Sequence, residues 1–461
     1  MHIFHPRLTL PNYELPQPRS VWAKNHAADV AQWPKTLATI SDSRTPLINF
    51  ISMKETVERE MGKECTAIEW VNEGGGNQIY LIFLKNDTQI IARIAFAFPH
   101  QVRTGEEFAY QEDHDRSRIP LRIQSEVATM RYVQSHTDIP IAKVFAYDPS
   151  LCNPIGAPYM LQEILEGDLL ADRWNDMTPD ERNIIIASLG KIVGQLYSLA
   201  FDHYGSLMPD GKVGPLVDTV DSLHRDYTLE DPGPWLSTHP MSPLFALAGR
   251  EHQWLSSPAG QRLFAKWRGR MHPKEDVTKT FPAFMELTKK VLELIPYLTT
   301  LLPLPVEATR PTLYHPDFHY SNVLVAHDDP TSLTGIVDWE HAVIMPLWGV
   351  YSIPHKISDY GDKYEPDLRW REEKRKLRKV FQDAVVKTCP SAVIVITDSS
   401  MQKSIRGLRL VKKLATSGVA LYSSCQEVEK LLISLRGCAV EERAPGVEIL
   451  NHLTSLFSQL S

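Results

Sequence analysis

No window of 18 residues in this 461-residue sequence is free of charges and strong helix breakers. The most apolar stretch, from Gly335 onward, carries Asp338, Glu340 and His341, which excludes a membrane span. Cysteine is scarce. Cys65, Cys152, Cys389, Cys425 and Cys438 are odd in number, widely spread and never spaced C-x-x-C, a pattern of reduced thiols rather than of a disulfide framework. Positive charge is not in excess either: Lys and Arg total 49 against 56 Asp and Glu, a formal net charge of -7. Without a global basic field, nucleic acid and anionic membranes are not expected partners. Residues 1–20 lack the apolar h-region of a secretory signal and carry Glu14 and several prolines. A cytoplasmic location is expected, and the mitochondrial alternative stays open. H-E-x-x-H and G-x-S-x-G are both missing, which removes the common zinc-protease and serine-hydrolase readings.

What remains is an ordinary globular composition, 43% hydrophobic and 23% charged, on a chain long enough for at least two cores. Residues 1–45 carry Pro6, Pro11, Pro16, Pro18 and Pro34, a spacing that denies a long helix its hydrogen bonds and reads as an extension. A first lobe is expected over residues 46–163. Its opening helix, with Leu47, Phe50, Ile51, Val57 and Met61 in helical period, stops at Gly62. Strand-like runs follow at 65–71, 78–84 and 89–98, then a helix opened by Pro120, then strands at 143–147 and 159–163. Together these predict a five-stranded antiparallel sheet with one helix.

Beyond Gly167 the periodicity turns helical, with patterns at 181–199 and 284–301 separated by a Pro- and Gly-rich stretch at 205–243. A mainly α second lobe is expected over residues 164–400, followed by a helical tail over 401–461. Ala392–Ile396 reads as a stray strand, and the mixed-charge run 369–379 as a solvated helix face.

The chemistry concentrates in residues 313–341. Asp317 and Asn322 lie five positions apart in a loop between apolar runs, a turn follows at 328–330, and Asp338 ends the next strand. Phosphoryl transfer asks for this set, because it is mostly positioning and charge neutralisation: one carboxylate orients the attacking hydroxyl, and hard oxygen donors hold magnesium against phosphates. Asp317 is the candidate catalytic residue, and Asn322 and Asp338 the candidate metal ligands.

Upstream, Gly74, Gly75, Gly76 and Asn77 sit between two strands, where backbone without Cβ atoms can approach a triphosphate. Arg93 falls on the face of Ile91 and Ala95, where a cation is costly unless paired, and Glu126 lies along the apolar stripe of the following helix. A pair across the nucleotide cleft is one reading; a snorkelling arginine and an exposed glutamate is the other.

Through H-x-D-x-x-x-x-N at His315, Asp317 and Asn322, followed by I-x-D-W-E at Ile336–Glu340, the sequence resembles the aminoglycoside phosphotransferase family of small-molecule kinases, its fungal members above all. The resemblance covers residues 46–360. It implies an α+β, protein-kinase-like two-lobed fold, ATP and magnesium as cofactors, and transfer of the γ-phosphate to a small-molecule hydroxyl. It also implies a hinge at 161–164, where the backbone of Gln162 and Ile164 would face adenine. His315 is expected to brace the catalytic loop rather than act as a base. Glu340 has two open roles, an additional carboxylate near the metal or a solvent-facing side chain.

Three departures bear on turnover: Arg93 stands where protein kinases use lysine, Pro316 where the family commonly has glycine, and Trp339-Glu340 where protein kinases have Phe-Gly. Arg93 and Pro316 keep a second reading in play, a catalytically weak or inactive nucleotide-binding scaffold. The acceptor itself is not legible; the resemblance extends to aminoglycosides, choline, homoserine and sugar-like compounds.

Overall fold

A computed structural model describes residues 48–412 apart from 74–75, 96–117, 218–228, 230–231, 259, 263, 266–276, 302–303, 351–352, 359–366, 398–400, 402–403, 406–407 and 410. The expected extension over 1–45 and nearly all of the expected helical tail lie outside the described residues.

The first lobe opens with α1, Phe50–Met61. The Asn49 side chain accepts from the Ser52 N–H at its start, and Gly62 ends it in the left-handed conformation, φ 61°, that glycine adopts without strain. Strands β1 (Cys65–Glu73), β2 (Asn77–Leu84) and β3 (Gln89–Ala95) form a meander. The β2–β3 turn places Asn86 and Asp87 at positive φ, which these two residue types tolerate best after glycine. Helix α2 (Arg118–His136) begins two residues before Pro120, which lies in its first turn where no N–H is required. Strands β4 (Val144–Asp148) and β5 (Tyr159–Gln162) complete a five-stranded sheet of order β1-β2-β3-β5-β4, antiparallel throughout.

Alternation divides the two sheet faces. Tyr80, Ile82, Ile90, Ala92, Ile94, Tyr159 and Leu161 pack under α1, whereas Leu81, Phe83 and Ile91 form a separate small cluster with Val71, Ile79 and Ile164. Arg93 alternates with Ile91 on this second face and is paired in register with Ile79 and Met160.

The second lobe is mainly helical, so the structure has the protein-kinase-like, two-lobed α+β arrangement expected. The short strand β6 (Asp168–Leu169) precedes helix α3, Pro179–Ser198. A reciprocal capping box between Thr178 and Glu181 sets the start of α3 two residues ahead of the expected Glu181. Among the described residues four two-residue strands lie between His203 and Leu236, and then helices α4 (Ser242–Ser256) and α5 (Val277–Leu294) pack together. The helical pattern expected to run through Leu301 breaks at Pro296 into a 3-10 turn.

Strands β7 (Pro311–Tyr314) and β10 (Val343–Pro346) pair with each other, while β8 (Val323–Val325) and β9 (Leu333–Ile336) form a hairpin whose β8 edge takes β6. Helix α6 (Leu368–Thr388) lies against α3 at close range. A Cβ on Gly190 would stand 2.6 Å from the Phe381 carbonyl oxygen, so only glycine permits this approach.

Two expectations are corrected here. Residues Val393–Ile396 form a helical turn instead of a strand: Pro390 starts a 3-10 turn after α6, and Val395 and Ile396 reach the core from helical geometry. Nor is the run 369–379 wholly solvated, because Lys374 is buried and Glu373 pairs with Arg182 of α3 at 2.8 Å.

Candidate active site

The loop between β7 and β8 carries Asp317. Its backbone carbonyl accepts from the His319 N–H at 2.9 Å, and a 3-10 turn, Tyr320–Asn322, then delivers the chain to β8. Asn322 is buried and donates from Nδ2 to the Asp317 carbonyl at 2.9 Å and to its Oδ2 at 3.2 Å. Burial works to raise the Asp317 pKa, but the hydrogen bond from His319 and the electrostatic pull of the surrounding imidazoles outweigh it and hold the carboxyl below its ordinary range.

The β8–β9 hairpin ties this loop to Asp338, because Val337 N–H donates to the Asn322 carbonyl at 3.0 Å. His315 closes the other side: its Nε2 meets the Val337 carbonyl at 2.9 Å, and its ring stands edge-on to Trp339, centroids 4.9 Å apart. Burial pushes its pKa down to about 4, so the imidazole is neutral and donates to that carbonyl.

Asp338 adopts φ 67°, left-handed backbone rare for a residue with a side chain and concentrated at functional positions. Loss of solvent, then the negative charge of Glu340, push its carboxyl up to about 7 against the pull of Arg93 and His341. Arg93 and Glu126 form a direct buried ion pair between β3 and α2, which settles the choice left open by the sequence. Burial disfavours the Arg93 charge, but Glu126, Glu340 and Asp338 more than restore it; burial lifts the Glu126 carboxyl while Arg93 pulls the other way.

Glu340 does not face solvent, and that alternative is corrected. One oxygen contacts His341 Nε2 at 3.0 Å; the other accepts from Asn77 Nδ2 at 3.2 Å and lies 3.8 Å from Arg93. A Cβ on Gly76 would come within 3.2 Å of the same oxygen. Burial opposes its ionisation, but His341, Arg93 and Arg122 hold it well below the usual carboxylate range. The second lobe thus grips the glycine turn of the first through one carboxylate. Gly74 and Gly75 lie outside the described residues.

At the sheet end, Gln162 pairs with Ile91 on the Arg93 face. It is buried, with no partner for its Oε1, while Ile164 packs against the Ala67, Leu81, Phe83 and Ile91 cluster. Two residues were not singled out from sequence, His319 and His341. The spacing D-x-H in the loop offered the first; the second follows the motif directly.

Among the described residues no three His, Cys, Asp or Glu side chains form a metal cage. Magnesium asks for less, one or two protein oxygens with phosphates and waters. Asn322 spends its amide nitrogen on Asp317 and keeps its oxygen, and Asp338 shares its surroundings with Glu340 and Glu126 as well as with Arg93 and His341. The oxygen donors fit a hard divalent cation.

Residues 101–348, more than half of the chain, match the APH family, described as a phosphotransferase enzyme family. The chain belongs to this family. Its relatives are fungal: a subtelomeric hrmA-associated cluster protein of Aspergillus fumigatus is 28% identical over 369 residues, 69% of this chain and 68% of that protein. The altered inheritance of mitochondria protein 9 of Clavispora lusitaniae, named as mitochondrial, is 26% identical over 344 residues, and the match spans 66% of this chain and 52% of that protein. Among solved structures, the aminoglycoside phosphotransferase APH(4)-Ia is similar at 11% identity and TM-score 0.42, covering 88% of this chain and 98% of that one. No helix among the described residues is long and apolar enough to cross a membrane.

Proposed function

We propose that this protein is an ATP- and magnesium-dependent phosphotransferase that phosphorylates a hydroxyl of a small molecule. The observation that supports it most is the joining of the Asp317–Asn322 pair to the Arg93–Glu126–Glu340 network through the short link Asn322–Val337–Asp338. Arg93 presents a permanent planar cation to phosphate oxygens, and Glu126 holds it there. The Asn77 side chain reaches the same Glu340, and the base would lie against the apolar face of Ile91 and Ile164, ending at Gln162. Asn322 and Asp338 would hold magnesium, which supplies charge neutralisation to the phosphates when bound.

Asp317 orients the attacking hydroxyl. In the reaction the acceptor oxygen gains a bond to phosphorus as the bond from that phosphorus to its bridging oxygen breaks, and the hydroxyl proton passes to the Asp317 carboxylate and on to solvent. A carboxylate held ionised suits this role, because little proton transfer is needed early in a loose transition state.

The test has two arms. A thermal-shift titration with ATP should stabilise the protein only when magnesium is present, and Asp338→Asn should abolish that dependence. Against a panel of aminoglycosides, choline, homoserine and sugars, Asp317→Asn should bind MgATP like the parent yet lose transfer by at least about a hundredfold. Equal turnover in Asp317→Asn would remove the assigned role, and MgATP binding without consumption against any acceptor would favour the scaffold.

A further inference from the structure

His319 occupies the position between the catalytic carboxylate and the turn that follows it. The Ser321 N–H points at its Nδ1 at 3.2 Å, so that nitrogen carries the lone pair and the ring proton sits on Nε2. Nε2 in turn lies 3.2 Å from Asp317 Oδ1. The 3.4 Å approach of Asn322 Nδ2 to the same Nε2 is then two donors side by side, both aimed at one carboxylate. Asn322 takes Oδ2 at 3.2 Å and His319 takes Oδ1.

We infer that His319 is a dedicated positioning residue for Asp317, an Nε2–H donor that fixes the carboxylate rotamer and leaves Asn322 free to turn its amide oxygen to a cation. The same bonds rule out a second role. A relay that took the hydroxyl proton onward from Asp317 would need an open lone pair on the imidazole, but Nε2 already bears its proton and Nδ1 is capped by the Ser321 amide. His319 therefore differs from His315, which donates to the backbone carbonyl of Val337 and touches neither oxygen of Asp317. The two histidines of the loop divide the work: one holds the loop against the β9 end, the other holds the reacting group.

This assignment rests on the phosphotransferase reading, and its test is arranged so that the two can fail separately. In the full-length protein labelled with 15N-histidine, with the signal assigned by its loss in His319→Gln, His319 should show a protonated Nε2 and an unprotonated Nδ1 at pH 7.5. Asp317→Asn should shift the Nε2 resonance. A proton on Nδ1, a doubly protonated ring, or no response to Asp317→Asn would overturn the inference even if no acceptor is ever found. Where turnover is measurable, His319→Ala should lower kcat roughly tenfold to a hundredfold with KM for ATP unchanged, the size expected for one hydrogen bond to a charged group. His319→Gln, whose amide nitrogen can take the place of Nε2, should recover kcat to within about threefold. Unaltered kcat in His319→Ala, or a rise in KM for ATP in its place, would refute positioning; failure of all transfer in the parent protein would count against the enzyme and leave the NMR arm to decide His319.

Discussion

Removing Glu126 tests whether the ion pair on the cleft face is held as tightly as its burial implies. Glu126 is 4% exposed and Arg93 11%, so neither charge is well hydrated in the folded protein. Glu126→Ala leaves the guanidinium buried without its direct partner, a change that generally costs about 3–5 kcal/mol. Here Glu340 stands 3.8 Å away and Asp338 adds its field, so part of the charge stays compensated. The expected loss is therefore lower, about 2–3 kcal/mol, starting from the usual cost of a broken pair. Replacing both partners with apolar side chains removes the stranded charge, so Arg93→Met combined with Glu126→Met should be destabilised by less than the sum of its single variants. A coupling energy of at least about 1 kcal/mol is expected from a pair in direct contact. Urea unfolding followed by tryptophan fluorescence reads all four corners of the cycle. If the single effects add to the double within about 0.5 kcal/mol, the limit for independent sites, the two side chains do not stabilise one another and the argument fails.

Two further outcomes follow from the same reasoning. Burial sets His315 at about 4, below the ordinary histidine value of about 6.5, so the unfolded chain binds the extra proton first on acidification. Stability from this residue is complete above pH 6.5 and is lost as pH falls from there toward 4, with a slope of up to about 1.4 kcal/mol per unit; His315→Gln should flatten the pH dependence of denaturant midpoints in that window, and an unchanged slope would count against a neutral buried ring. Gly190→Ala places its Cβ 2.6 Å from the Phe381 carbonyl oxygen, so despite alanine's better helix propensity the variant should lose about 1–3 kcal/mol in thermal or urea melts, and a gain in stability would mean that α3 and α6 are not in such close contact.

What was legible in the sequence was local or periodic. The five strands, the helix carrying Glu126 and the β8–β9 hairpin all follow from alternation, turn residues and spacing. The Arg93–Glu126 pair could be argued because each residue lies on the apolar face of its own element. Contacts between distant segments left no such trace. Asn77 and Glu340 meet across 263 positions, and nothing near Glu340 distinguishes a carboxylate gripping the glycine turn from one in water. The donor role of His319 depends on which ring nitrogen the Ser321 amide faces, a detail fixed only once the 3-10 turn forms. Ala392–Ile396 misled for a related reason: β-branched residues favour strands, but tertiary burial after Pro390 chose a helical turn.

The left-handed backbone at Asp338 sets folding against chemistry at a single turn. Glycine would adopt φ 67° freely, and would bring no carboxylate into surroundings that already raise that group to about 7. By folding criteria alone a glycine would suit this turn better, because the aspartate brings a carboxylate that its neighbours disfavour. Asp338→Gly should therefore relax the turn and lift that crowding, at the loss of the carboxylate proposed to hold the metal.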